Sequence, residues 1–284
     1  VVFTDHSHCL RRICPEYEHG STLAGMRGSG NRNGPLDGAA FSTPKGICIA
    51  GGDLIIADSA NHCIRKIALS GDRTVTTLAG SSSRQSGYKN GIGTEALFNS
   101  PVDVAVRPNG VLVVCDQLNY CLRGIRPDGQ TAVLAGFPQK KGTSDGKATP
   151  KKGTRDGKSP HALLAGPRGV AVLSGGSVIF TDGEGVRLLA NGEVTTIAGQ
   201  VATAGCSDGV GPSALFRTPT GLVERVPGIV LIADRGNNRI CELDLGTMAV
   251  ITVAGTGESG HRDAAAPLAQ FGGPTHLCML PDRT

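Results

Sequence analysis

The sequence predicts an all-β protein, a propeller of five four-stranded blades, and three observations carry that prediction. A Phe/Leu-x-x-Pro phrase leading into an apolar residue occurs five times, at 41–47, 98–104, 164–170, 216–222 and 271–277. An apolar run ending in Asp follows each, at Asp58, Asp116, Asp182, Asp234 and, when the C-terminus is read on into the N-terminus, Asp5. No unit contains a helical period. The prolines stand at 44, 101, 167, 219 and 274, near-even steps widened once between Pro101 and Pro167. The distance from Pro to Asp is almost constant inside the units, and reading from Pro274 through the termini to Asp5 gives the same distance. A cyclic array of this kind predicts a closed ring in which Thr275 to Leu280 pairs with Val1 to Thr4 in one blade. One domain spanning 1–284 is expected, with six blades as the alternative if one lies outside this chain.

The unit after Pro44 shows why each element forms. Gly46 to Ala50 reads as a short strand and Gly51-Gly52-Asp53 as a turn, and Leu54 to Ala57 is an apolar run that needs cover on both faces. Asp58 to Asn61 reads as a turn in which short polar side chains hold nearby N–H groups. Cys63 to Leu69 is a third strand and Thr74 to Leu78 a fourth, stopped by Ala79-Gly80; the same glycine recurs at 25, 136, 199 and 255. A four-stranded sheet with two apolar faces must lie between two others, and radial packing satisfies that demand.

Composition narrows the classes. Gly numbers 42 and Pro 16 in 284 residues, but the glycines recur at fixed places, so they mark turns and not disorder. No apolar stretch approaches the roughly 18–20 residues of a membrane helix, so a soluble chain without membrane insertion is expected. Of the nine cysteines, Cys48 and Cys278 stand where other units carry Ala or Val, and Cys115 where others carry Ala57 and Ala233. This suits buried thiols acting as small hydrophobes and favours a reducing intracellular compartment. The net charge of +4 is deceptive: residues 140–158 hold seven basic and two acidic side chains, so the remainder sums to −1.

The stretch Leu54-Ile-Ile-Ala-Asp58-Ser-Ala-Asn61-His-Cys-Ile-Arg65-Lys-Ile67, followed by Val75-Thr-Thr-Leu-Ala-Gly80, resembles the NHL repeat, and the resemblance runs through nearly the whole chain. Asp116/Asn119, Asp234/Asn237 and, one residue shorter, Asp5/His8 repeat its pattern; the unit at Asp182 is two residues short and lacks the Asn, so its outer hairpin is the weakest. The resemblance implies an interaction platform for protein or RNA. Its minority branch, propeller enzymes of the lyase and calcium-lactonase type, implies a site near the start of the inner strands.

Candidate residues stand where the repeat is broken. The recurring Asp and Asn read as turn stabilisers because every unit has them, and Arg65 and Arg123 as a structural ion pair or a solvated strand edge. At the Pro-x-Gly position the series reads Gly46, Asp103, Gly169, Gly221, His276, so Asp103 and His276 are candidate binding residues at the channel mouth. The seven histidines show no zinc-ligand spacing, and neither metal nor cofactor is expected. The second anomaly is a tandem duplication, Lys140 to Pro150 followed by Lys151 to Pro160, whose Lys140, Lys141, Lys147, Lys151, Lys152, Arg155 and Lys158 form a basic loop. It reads as a solvated tip or as a contact for phosphate or an acidic protein. With no Trp and few other aromatics, base stacking has little support. The function expected is a non-catalytic scaffold, a monomer that binds a macromolecule, most simply a protein; the alternatives are a lyase- or lactonase-type enzyme and an RNA or other polyanion binder.

Overall fold

The computed structural model describes residues 2–5, 7–14, 19–26, 28–136, 138–139, 149–150, 152–159 and 161–279. The fold is all-β, a five-blade propeller of antiparallel sheets. The chain divides into two compact units, Val1–Leu134 with Pro138–Lys151, and Ala135–Phe137 with Lys152–Thr284. The first holds blades I to III, the second blades IV and V.

Blade II follows the expected order with small changes of boundary: Pro44–Ala50, Asp53–Asp58, Cys63–Ile67 and Thr74–Gly80. The turn after Asp58 is a 3-10 turn, Ser59–Asn61, closed by His62 at φ 56. Blades III and V repeat this with Tyr120 and Asn238 in the same left-handed conformation. Gly80 ends the outer strand at φ 101, and a Cβ there would come within 2.7 Å of the Cys63 Cα, so the Ala-Gly stop has a steric cause.

The sequence reading missed one element. Gly34–Pro35, Gly91–Ile92, Gly157–Lys158 and Gly209–Val210 each add a short fifth strand to the outer edge of blades II, III, IV and V. Blade IV is regular despite its short hairpin: Asp182 pairs with Gly185, and the third strand Gly185–Ala190 runs its full length.

Blade I holds three strands among the described residues, Val2–Thr4, Leu10–Cys14 and His19–Ala24. The expected fourth strand is not formed as a ladder: 275–279 carry no strand assignment, and Leu280 lies outside the described residues. The segment does run beside the inner strand of blade V, Pro219–Val226, as the other inner strands run beside those before them, and the Gly221 amide donates to the Thr275 carbonyl at 2.8 Å.

The apolar second strands do separate work on their two faces. Leu54 and Ile56 pack with Leu10, Ala24 and Phe41 towards blade I, whereas Ile55 and Ala57 pack with Phe98, Val104 and Val114 towards blade III. In the second unit Ile179, Val186, Phe216, Val230 and Ile232 form the corresponding core. Phe41, Phe98 and Phe216 are fully buried, each stabilising its interface by about 1.5–3 kcal/mol. Cys9, Cys63, Cys115, Cys121 and Cys241 are buried thiols as expected, but Cys48 is half-buried and Cys206 and Cys278 are exposed.

Candidate binding site

Polar chemistry concentrates where the loop before each Pro meets the Asp that ends the second strand. Asp58 accepts hydrogen bonds from the Ser42 amide at 2.8 Å, Asn61 Nδ2 at 2.7 Å and Arg65 Nη1 at 2.9 Å. Arg65 also donates to the carbonyls of Ala40 and Arg32 and, at 2.8 Å, to Asn33 Oδ1, while its guanidinium stacks 5.0 Å from the centre of the Phe41 ring. Both charges are fully buried, so the ion pair reading is right and the solvated-edge reading is excluded. The Asp is therefore more than a turn former, because it ties the preceding loop, the turn and the third strand together.

The same clamp recurs. Arg123 bridges Asp116 and Asn90 between the rings of Tyr88 and Phe98, Arg187 bridges Asp182 and Asp156, and Arg239 bridges Asp234 and Asp208. The second acceptor, Asn33, Asn90, Asp156 or Asp208, keeps one fixed distance ahead of Pro44, Pro101, Pro167 or Pro219. That spacing is visible in the sequence, and the sequence reading missed it. Burial is the largest influence on the clamped carboxyls: it holds Asp58, Asp182 and Asp234 above the usual carboxylate range and pushes Asp116 up to about 6, against the pull of arginine and hydrogen-bond donors.

A further tie links consecutive blades. Side chains in or beside the tight turns accept the amide just before the next Pro phrase: His8 Nδ1 from Thr43 at 2.9 Å, His62 Nδ1 from Ser100 at 3.0 Å, and Asn238 Oδ1 from Gly273 at 3.0 Å. Glu184 does the same for Thr218.

The inner-strand position shows why Gly is common there. A Cβ on Gly46 would lie 2.5 Å from the Asp103 Cα, one on Gly169 would strike Thr220 and Gly221, and one on Gly221 would lie 2.7 Å from the His276 Cα. Gly is thus required by the residue opposite it in the following repeat, and the aspartate at 103 occupies room that Gly46 vacates. Asp103 is not at an exposed turn; it is buried, and its Oδ1 accepts the Val104 amide at 2.9 Å. Burial, aided by the Asp103 charge, pushes the neighbouring Cys48 thiol up to about 12. His276 is exposed and belongs to the second unit, so the two candidates lie in different units.

The basic segment also divides. Lys140, Lys141, Lys147 and Lys151 lie outside the described residues. Lys152, Arg155 and Lys158 belong to blade IV and are exposed. Their backbone is anchored, not a free tip: Gly157 and Lys158 pair with Val194 and Glu193, Asp156 holds Arg187 and Thr196, and Arg155 donates to the His161 carbonyl. The second copy of the duplication is the ordinary inter-blade loop, which is why it could not be solvated throughout.

Among the described residues no group of three His, Cys, Asp or Glu is arranged to hold a metal ion. No helix among them is long and apolar enough to cross a membrane.

Comparison with known proteins agrees with this architecture. The family model for the NHL repeat matches residues 41–67. Protein SUPPRESSOR OF QUENCHING 1, chloroplastic, from Arabidopsis thaliana is 30% identical over 88% of this chain and 24% of its own length. NHL repeat-containing protein 2 from Bos taurus is 27% identical over 98% of this chain and 42% of its own. The chain thus spans less than half of either relative. Virginiamycin B lyase from Staphylococcus aureus shares the fold at a TM-score of 0.52 and 13% identity, with 87% of this chain and 62% of the lyase covered.

Proposed function

The chain belongs to the NHL-repeat β-propellers, and from that premise we propose that it is a non-catalytic interaction scaffold whose partner is a protein carrying an acidic segment. The observation that supports this reading is the commitment of the repeated carboxylates. Asp58, Asp116 and Asp234 each accept from an arginine, an asparagine and a backbone amide, and Asp182 from Arg187 and the Ala165 amide. Carboxylates saturated in this way hold blades together and are poorly placed to move protons. The unspent charge is basic. Lys152, Arg155 and Lys158 project from blade IV, and with Lys140, Lys141, Lys147 and Lys151 they make the only strongly charged segment in a chain otherwise at −1. Asp103 and His276, which replace the shared inner-strand glycine, are proposed as further contact positions. Titration with decaglutamate tests the reading: binding should weaken steeply with salt and largely vanish when Lys140, Lys141, Lys151 and Lys152 become Gln. Turnover of a lactone or lyase substrate that Asp103→Asn abolishes would overturn it, and tighter binding of single-stranded RNA than of decaglutamate would shift the partner class.

A further inference from the structure

Three segments of the first compact unit meet beside the tight turn of blade II. Asn61 donates to the Gly30 carbonyl at 2.6 Å, Asn31 to the Ser82 carbonyl at 2.9 Å and Arg84 to the Ser29 hydroxyl at 3.4 Å, so 29–31, 61–62 and 81–84 are held against one another. The turn that carries Arg84 is fixed by its own serines: the Ser83 amide donates to the Ser81 hydroxyl at 3.1 Å, and the two hydroxyls lie 2.9 Å apart. Arg84 leaves that turn at φ 64, a left-handed conformation that is unfavourable for a residue with a side chain.

Hydrogen-bond donors outnumber acceptors here. The Ser100 amide donates to His62 Nδ1 at 3.0 Å, so the neutral ring carries its own proton on Nε2, and no group among the described residues accepts it. Ser29 Oγ lies 2.7 Å from Ser42 Oγ and accepts from Arg84; with Ser42 donating, both lone pairs of Ser29 are filled and its own proton is left to give. Arg84 is exposed and pairs with no carboxylate among the described residues. Asp58, which bonds to Ser42 and Asn61, is already matched by the buried Arg65. Burial first and the Arg84 charge second hold the His62 ring below its ordinary pKa, which places the guanidinium near the imidazole.

We infer that Arg84, His62 Nε2 and the Ser29 hydroxyl form a site for a phosphoryl group, the dianionic head of a phosphomonoester. A tetrahedral group with three equivalent oxygens accepts from a guanidinium fork, an imidazole N–H and a hydroxyl approaching from different directions, whereas a carboxylate offers two oxygens in one plane. Its second negative charge also offsets the closeness of two basic groups. The site uses neither Asp103 nor the basic loop and does not depend on the function proposed above.

The test uses the whole chain and follows the His62 ring protons by NMR across pH, with four probes: N-acetyl-O-phosphoserine amide, inorganic phosphate, dimethyl phosphate and N-acetylglutamate amide. One or both of the first two should bind saturably and raise the His62 pKa by about one unit, because a dianion beside the ring favours its charged form. Tighter binding of the phosphoserine probe assigns the site to a phosphorylated protein side chain, and tighter binding of inorganic phosphate to the free ion. The diester and the carboxylate should bind at least about tenfold more weakly. Arg84→Gln should weaken phosphoryl binding at least about tenfold with the melting temperature unchanged, since Arg84 is exposed, and Arg84→Gly, which suits the left-handed backbone, should do the same. Without ligand, both variants should raise the His62 pKa, which shows the ring still in place. A His62 titration unmoved by saturating phosphoserine probe and phosphate, equal binding of the diester or the carboxylate, or indifference to both Arg84 variants would each overturn the assignment.

Discussion

Blades II and V put a guanidinium in the same place from strand positions two residues apart. In blade II, Cys63 lies opposite Asp58 and Arg65 opposite Ile56; in blade V, Arg239 lies opposite Asp234 and Cys241 opposite Ile232. The thiol and the guanidinium have exchanged positions, yet both arginines reach the Asp at 2.9 Å. The approach differs in one respect. Arg239 uses its Nε on Asp234, while Arg65, Arg123 and Arg187 leave Nε buried without a partner. Arg65 and Arg123 offset that cost by stacking on Phe41, and on Tyr88 and Phe98. The fold therefore demands a guanidinium between two acceptors, not an arginine at a fixed strand position.

Truncating the more enclosed member should do most harm. Arg123→Ala strands the buried Asp116 and empties the space between two rings, and a loss of about 3–5 kcal/mol is expected by denaturant unfolding. A loss under about 1 kcal/mol would show that the clamp is dispensable. Arg239→Ala should cost less, about 2–3 kcal/mol, because its outer partner Asp208 is 44% exposed. If Arg239→Ala proved the costlier of the two, enclosure would not be what ranks them.

Exchange offers a sharper comparison. Arg239→Cys alone should destabilise blade V, and adding Cys241→Arg should recover most of the loss by recreating the blade II arrangement; a double variant no more stable than the single would mean that the two strand positions are not equivalent. Deleting residues 140–150 removes one copy of the duplication and leaves Asp156 on Arg187, so the melting temperature should move by no more than a few degrees. A larger drop would place the first copy in the packed body.

The smallest effect belongs to a tie between blades II and III. Burial, with the Arg84 charge second, holds the pKa of His62 below its ordinary value. A lowered histidine pKa means that the neutral form is favoured on folding, so this contribution is fully present above the unfolded value near 6.5 and is lost as pH falls through the folded value. Protonated Nδ1 cannot accept from the Ser100 amide, so that amide should exchange faster in acid than the clamped Asn99 amide, and His62→Gln should flatten the difference. Equal acid sensitivity of the two amides would remove His62 as the cause.

The clamps are half legible in the sequence. Asp58 and Arg65 recur by spacing and stand out, but the acceptor that completes each clamp, Asn33 or Asp208, is separated from its arginine by 32 or 31 residues and looks like loop composition. Asp103 illustrates a second limit. Its departure from Gly is plain in the sequence, while its burial follows from the absent Cβ of Gly46 in the preceding blade, since a Cβ there would lie only 2.5 Å from the Asp103 Cα.

The sequence by itself determined the four-stranded repeat and its turns, because short apolar runs, glycine stops and Asp/Asn turns act through local backbone preferences that recur with the spacing. Only the tertiary structure decided which polar groups are spent and which are left. Pairing a buried charge depends on distances across loops tens of residues apart, so Asp156, which looks like loop composition in the sequence, ends as half of a clamp on Arg187, 31 residues further on.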